Sequence, residues 1–360
     1  MASVTRRSTA AGDARYDARV RIGDQVRTKT FRRRGDAERW ARQQETRKDL
    51  GDLVDPRAGA VPLAEYARRW LPTRDLRPRT RQLYGHLLSR RIAPTFGATP
   101  INRITTEAVR SWHGRVTGEV SALQAAKAYR LLRAMLNTAV AEGLLTRNPC
   151  CIPGAGRERS PERPLVEPAD VLRLAEAIEP RFRALVLLAA VGGLRVGELL
   201  GLQRCHVDLV EATVRVEQQA IELFDGTRII TGPKTDAGRR TVAVPEFVSI
   251  ALGEQLERFT AAGPDAWVFV GQRGEPSRRI TLQRSWTAAR EATGMTHITL
   301  HDLRHAGATL AAWTGASTKE LMARLGHSTP RAALRYQHAA KHRDREIADR
   351  LGELFEPDPG

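Results

Sequence analysis

No regular helix or strand can run through residues 150–168. That stretch carries Pro153, Gly154, Gly156, Pro161, Pro164 and Pro168 among charged side chains. Each proline removes a backbone donor and locks φ, and glycine holds no preferred backbone region, so the stretch reads as a linker. The 360-residue chain must therefore build separate cores on either side of it. A hydrophobic content of 41% can fill such cores, which excludes wholesale disorder.

Charge divides along the same line. Residues 1–60 hold 15 basic and 9 acidic side chains, residues 61–155 hold 15 and 5, and residues 156–360 hold 28 and 27. Only +1 of the net charge of +17 therefore falls after residue 155. Such an excess suits a polyanionic partner, either nucleic acid or an anionic membrane face. The membrane reading is the weaker one. The longest apolar run, Ala184 to Leu194, is too short to span a bilayer, and Met1 to Asp17 contains no apolar signal-peptide core. Cys150, Cys151 and Cys205 offer neither a disulfide framework nor paired metal-ligand spacing, so a reducing cytoplasm is the expected setting.

Three segments follow from patterning. In the first, residues 1–60, Arg15 to Ile22 alternates with Tyr16, Ala18, Val20 and Ile22 on one face. Gly23-Asp24 is a turn, and Gln25 to Phe31 is a partner strand with Arg27 and Lys29 on the face opposite Val26. Asp36 is expected to cap a helix that carries Ala37, Trp40, Ala41 and Gln44 inward and closes at Leu50-Gly51. The second segment, 61–149, is helical: Val61 to Leu71, Thr80 to Ile92, a helix from near Thr106, and one capped by Ser121 and closed by Gly143. Leu131, Leu132, Met135, Leu136 and Val140 form the stripe of that last helix. The third, 169–360, is mixed. Helices are expected near 169–178, 181–191 and 194–202, strands at 212–221, 227–231 and 240–244, and helices again from about 246. The fold class expected is therefore α+β and multidomain: a small hairpin-and-helix module, an all-α domain, and a mainly helical domain with a small antiparallel sheet.

Four clusters in the third segment carry chemistry. Gly193-Leu-Arg-Val-Gly-Glu-Leu199 places Arg195 after an apolar helix and a Gly-Gly break. Thr231 to Arg240 reads as a turn-rich hairpin with Lys234 near its tip. Lysine occurs only at 29, 48, 127, 234, 319 and 341 against 52 arginines, so a lysine kept there invites a reason. His301-Asp-Leu-Arg-His305 puts two histidines four apart on one helical face. A zinc helix is rejected for it, because Asp302 replaces the glutamate, no third ligand is evident, and Arg304 would repel a dication. In Arg324 to His338, His327 follows a helix-closing glycine and Tyr336 lies nine residues on. Each cluster alone also fits a bland role in packing or on a solvated surface.

Taken in order, Arg195, Lys234, His301 with Arg304, His327 and Tyr336 form the signature of the tyrosine recombinases, or phage-type integrases. The chain resembles that family over nearly its whole length. Two small departures are Gly192, where the family often has Thr or another small residue, and Ala306-Gly307 in place of a Thr and apolar pair; neither is a catalytic position. The resemblance implies that residues 1–60 form an arm-type DNA-binding module similar to that of lambda integrase, residues 61–149 a core-type DNA-binding domain, 150–168 the linker, and 169–360 the catalytic domain. It implies that Tyr336 attacks a phosphodiester, forms a 3′-phosphotyrosyl link and releases a 5′-hydroxyl.

The residue types suit that chemistry. A phenol of pKa near 10 is ionised only about one part in a thousand at pH 7, a deficit of about 4 kcal/mol that His301 can reduce as general base. Arg195 and Arg304 donate paired hydrogen bonds to the charge that develops on the phosphate, with His327 adding another. Two guanidinium groups serve where a metal otherwise would, so no metal or other cofactor is expected. Lys234 can give the leaving oxygen the proton that an arginine cannot. Glu198 is expected to hold Arg195, and His305 to support the site. Arg27, Lys29, Arg77, Arg79, Arg81, Arg90 and Arg91 are expected to bind DNA phosphates.

The partners implied are duplex DNA with core and arm sites, three further copies in a tetramer that passes through a Holliday junction, an excisionase and a DNA-bending host protein. The expected location is the cytoplasm of a bacterial host. A tail helix from Ala339 to Phe355, striped by Ile347, Leu351 and Leu354, packs on its own domain or on a neighbour. Three other readings compete: a chromosome-dimer-resolution recombinase, a type IB topoisomerase, and a DNA-binding regulator with a dead site.

Overall fold

The computed structural model describes residues 2–9, 12–22, 25–49, 58–158, 166–233, 235–271 and 273–330. The turn at Gly23-Asp24, the helix end at Leu50-Gly51, Lys234, Tyr336 and the tail helix all lie outside those residues. The chain divides into two compact units, Met1–Ser160 and Pro161–Gly360.

The first unit begins with an antiparallel sheet of three strands, β1 (Ser3–Ser8), β2 (Ala14–Ile22) and β3 (Gln25–Phe31), followed by helix α1 (Arg34–Asp49). β1 is not legible in the sequence because Ser3 to Ser8 contains one apolar residue and forms an exposed edge. The helix starts at Arg34, so Asp36 does not cap it. It stands in the first turn, where a carboxylate still favours the exposed N–H groups. Ala18 pairs with Lys29 and Val20 with Arg27. Directly opposed residues share a face, so Arg27 and Lys29 stand on the side of the sheet that bears Ala18, the contact of Ala37 and Ala41 on α1. Arg6, opposite Tyr16, shares that side, and the face away from α1 carries Arg7, Arg15, Arg19 and Arg21 around Asp17.

The rest of this unit is helical, with α2 (Leu63–Trp70), α3 (Pro78–Leu87), a wide turn over Leu88–Ile92, α4 (Ala93–Phe96), α5 (Thr106–Glu119) and α6 (Ala122–Ala141). Ser121 caps α6 by accepting the Gln124 N–H at 3.2 Å. Trp112, Tyr129, Leu132, Met135 and Leu136 fill the core beneath it. The start of the linker belongs to this core as well. Cys150 and Ala155 are buried in it, and the Tyr129 hydroxyl accepts the Ile152 N–H at 2.8 Å. Burial pushes the Cys150 thiol up to about 12. Val166 already belongs to the core of the second unit, so the stretch between the two cores is shorter than 150–168.

The second unit contains α7 (Pro168–Ala177), α8 (Arg183–Val191), α9 (Val196–Leu200), β4 (Val207–Asp208), β5 (Thr213–Val216), β6 (Gln219–Glu222), β7 (Arg228–Thr231), β8 (Arg240–Ala243), α10 (Glu246–Arg258), α11 (Arg279–Thr293), α12 (Leu300–Trp313) and α13 (Thr318–Leu325). The expected strand 212–221 is two strands in two sheets. β5 lies between β4 and β8, whereas β6 pairs with β7. The chain steps from one sheet to the other at Glu217-Gln218, where the Gln218 amide donates to the Gly201 carbonyl at 3.0 Å and to Gln203 Oε1 at 2.9 Å. The segment 231–240 is consequently a connection between sheets and not a hairpin, since β7 and β8 are not paired.

The apolar run at Ala184 is α8, buried along its length at the centre of this unit. α12 packs directly on it at Gly307, where a Cβ would stand 1.9 Å from the Ala190 carbonyl oxygen. The departure at Ala306-Gly307 thus has a packing reason. Gly307→Ala is expected to lower stability by about 3 kcal/mol or more, because backbone must move to relieve that overlap. A urea midpoint equal to that of the parent chain would refute the tight α8–α12 contact. No helix among the described residues is long and apolar enough to cross a membrane.

Candidate anion-binding active site

Arg195 occupies the N-cap position of α9, and Glu198 follows one turn later. Glu198 is 2% exposed and reaches back to accept the Arg195 backbone N–H at 2.9 Å. This is the acidic half of a capping box, a local reason for Gly-Glu to follow Arg-Val. The same carboxylate accepts Arg195 Nη1 at 2.6 Å and Arg240 Nη2 at 2.9 Å. Burial pulls the Glu198 carboxyl upward, but the charges and hydrogen bonds of Arg240 and Arg195 prevail and hold it below the usual carboxylate range. Arg195 donates through Nη2 to the Gly326 carbonyl at 3.2 Å, and its side chain stays 40% exposed, open toward the cleft.

Arg304 sits on α12 and is 3% exposed. Nη1 donates to the Gly193 carbonyl and Nη2 to the Leu325 carbonyl, so the guanidinium plane is fixed by the backbone. Nη2 also lies 3.2 Å from His327 Nε2. Guanidinium only donates, so Nε2 is the acceptor and the neutral ring carries its proton on Nδ1. Burial, followed by the charges of Arg304, Arg195 and Arg240, brings His327 down to about 4, which leaves it neutral at pH 7.

His327 is placed by the end of α13. Gly326 adopts φ +63°, and the His327 N–H returns to the Met322 carbonyl at 3.0 Å. A Cβ at Gly326 would also meet the Ala237 carbonyl at 2.9 Å, so this turn closes against the segment that follows Lys234. His301 and His305 stack edge to face at 4.6 Å on the first two turns of α12, His301 exposed and His305 half-buried. Asp302 is committed to the helix cap: it accepts the Thr299 N–H at 2.9 Å and the Thr299 hydroxyl at 2.6 Å. That accounts for an acid between the two histidines without any ligand.

Arg195, Gln219, Thr235, Gly326, His327 and Ser328 line a cleft of about 300 Å³. Arg195 and Arg240 share the one Glu198 carboxylate, and Arg304 stands beside them on His327, leaving an excess of positive charge. Such a site holds an oxyanion and stabilises further negative charge upon it.

Two arginines here were not singled out from the sequence. Arg240 binds Glu198, and Arg324 donates to the carbonyls of Ala243 at 3.2 Å and Val191 at 3.0 Å. A signal for Arg240 existed: it shares its inward period with Val242 and Val244, an arginine facing a core. The expected DNA-binding residues of the helical domain lie at the start of α3 and in the wide turn after it. Arg77 occupies the N-cap position of α3 without a side-chain cap bond, Arg81 donates to the Leu71 and Arg74 carbonyls at 3.2 and 3.0 Å, Arg79 and Arg90 are exposed and Arg91 is half-buried.

Known proteins resemble the chain along most of its length. Residues 165–343 match the phage integrase family, and residues 63–115 match the N-terminal SAM-like domain of phage integrases. A prophage phiRv2 integrase of Mycobacterium tuberculosis is 40% identical over 351 residues, covering 94% of this chain and 91% of that protein. The integrase of Mycobacterium phage D29 is 35% identical over 339 residues, covering 91% and 89%. Among solved structures, a Tn1549 transposon integrase in complex with transposon right end DNA superposes with a TM-score of 0.68 at 21% identity, covering 81% of this chain and 100% of that one. A lambda integrase dimer bound to a COC′ core site superposes with a TM-score of 0.61 at 21% identity, covering 92% and 94%.

Proposed function

This chain belongs to the phage integrase family of tyrosine recombinases, enzymes that cut and rejoin DNA at specific sites, and on that footing we propose that Tyr336 is its nucleophile and that Arg195, Lys234, His301, Arg304 and His327 complete the active site. The observation that carries this reading is the meeting of two pairs, Arg195–Glu198 and Arg304–His327, at the Gly326 turn beside one cleft.

In the proposed mechanism the scissile phosphate sits in that cleft. Arg195 and Arg304 receive the second negative charge as the Tyr336 oxygen attacks phosphorus, with His327 beside them in the cleft wall. His301 takes the phenol proton. Lys234 protonates the departing 5′-oxygen, so one P–O bond forms as another breaks and the phosphotyrosyl link conserves its energy. A 5′-hydroxyl from a partner duplex reverses the step. Two rounds of exchange through a Holliday junction then complete recombination.

Residues 1–60 are read as an arm-site module and 61–149 as a core-site domain, with 169–360 catalytic. The two grips are linked, which raises effective concentration on DNA carrying both sites. The helix-free face of the N-terminal sheet, with Arg7, Arg15, Arg19 and Arg21, is the better candidate for arm-site contact than Arg27 and Lys29. A tetramer on DNA, an excisionase, a DNA-bending host protein and action in a bacterial cytoplasm complete the proposal. The resemblance to phage and prophage integrases over about nine-tenths of their lengths favours integration of a mobile element over chromosome-dimer resolution.

A core-site duplex nicked near the cleavage position is expected to trap the full chain covalently, since the short fragment diffuses away and cannot religate. Deleting residues 1–60 is expected to remove the arm-site footprint and spare that trapping. A footprint unchanged by the deletion would argue against two-site binding. A chain that never traps itself would be a DNA-binding regulator.

A further inference from the structure

Arg240 ends the Thr231–Arg240 segment and has no role in the expected chemistry, yet its side chain is 5% exposed and makes three directed bonds. Nη2 binds Glu198 Oε2 at 2.9 Å, Nε donates to the Arg324 carbonyl at 2.7 Å, and Nη1 donates to the Gly238 carbonyl at 3.0 Å. The three acceptors lie in separate parts of the cleft wall. Glu198 holds Arg195. Arg324 stands two residues before the Gly326–His327 turn. Gly238 ends the segment that joins the two sheets.

We propose that Arg240 is a positioning residue of the cleavage reaction, one that fixes Glu198, and through it the Arg195 guanidinium, against the Gly326–His327 turn. This rests on the reading of Arg195 as a ligand of the scissile phosphate. Two arguments carry it. The first is geometric. Glu198 Oε1 takes Arg195 Nη1, while Oε2 takes Arg240 Nη2 together with the Arg195 N–H. With Arg240 on the second oxygen, the carboxylate plane is set from both sides, and Arg195 has a single place to stand. The second is electrostatic. A carboxylate paired with Arg195 alone would cancel the charge that the phosphate needs. Shared between two guanidinium groups, it orients Arg195 and leaves net positive charge facing the cleft. Lysine cannot substitute, because one ammonium group does not reach three acceptors set in a planar fork.

The test uses the full chain and a nicked core-site duplex carrying either the natural phosphodiester or a methylphosphonate at the cleavage position. The methylphosphonate lacks one ionised oxygen, so its transition state bears one negative charge fewer and depends less on Arg195. Arg240→Lys is expected to lose about 100-fold in single-turnover cleavage of the phosphodiester but only about tenfold on the methylphosphonate, each relative to the parent chain. Equal losses on both substrates would mean general loosening of the fold and would overturn the proposal. Arg195→Ala is measured alongside. If it is relieved by the methylphosphonate and Arg240→Lys is not, the role of Arg240 fails alone. If Arg195→Ala is not relieved, the reading of Arg195 fails and the proposal with it. Should Arg240→Lys not fold, Arg240→Gln takes its place in the same comparison.

Discussion

Tyr336→Phe is expected to bind a core-site duplex as tightly as the parent chain and to form no covalent adduct with a nicked substrate, with cleavage below about one part in 10⁴ of the parent rate. The substitution removes a single oxygen and leaves the ring that packing would use. On the proposed reading, affinity comes from cationic contacts to phosphates in the basic N-terminal segments, and loss of one phenol oxygen leaves those cations in place. Loss of the adduct with retained binding would therefore separate chemistry from grip. An adduct persisting on a denaturing gel would sink the assignment of Tyr336. In the same experiment, a parent chain without an adduct would point to a regulator with a dead site.

Local signals are legible in the sequence, the β2–β3 hairpin included, and longer-range pairing is not. Ser121 caps α6, and Gly326 closes α13 just before His327, because a cap is written within one helical turn. The triplet Arg195, Val196, Gly197 ahead of Glu198 likewise implies their mutual contact, since residues three apart meet at a helix start. The strand at 212–221 failed for the opposite reason. Its alternation persists across Glu217-Gln218, but β6 turns back on β7 while β5 waits for the distant β8, which no local pattern marks. The role of Arg240 is illegible on the same ground. Its partners, Glu198 and the Arg324 carbonyl, are 42 and 84 residues distant in sequence, and no local pattern marks them. Charge gave a third lesson. Net charge places basic surface in the first 155 residues, yet it does not show how the cations divide between the two faces of the N-terminal sheet. The cross-strand register puts Arg7, Arg15, Arg19 and Arg21 on one side and leaves Arg27 and Lys29 on the other.

Glu198→Gln is expected to destabilise the catalytic unit by about 3 kcal/mol at pH 7, although it preserves shape and opens no cavity. The carboxylate is the common counter-ion of Arg195 and of the nearly enclosed Arg240, and an amide supplies hydrogen bonds without charge. Two guanidinium groups would then face each other across a neutral side chain. The pH dependence gives the prediction a second arm. The folded-state carboxyl is held below its ordinary value of 4.5, so the unfolded chain binds the proton more readily. The stabilisation is therefore complete above that value and is lost as pH falls through the lower, folded-state value. The gap between parent and variant should shrink on acidification from pH 7 toward pH 3, as the parent carboxyl is itself neutralised. Hydrogen exchange followed on peptides covering 183–200 reads this unit separately from the N-terminal one. A gap that stays constant across that range would mean that Glu198 acts by shape and hydrogen bonding alone, and that the charge shared between Arg195 and Arg240 does not hold the cleft.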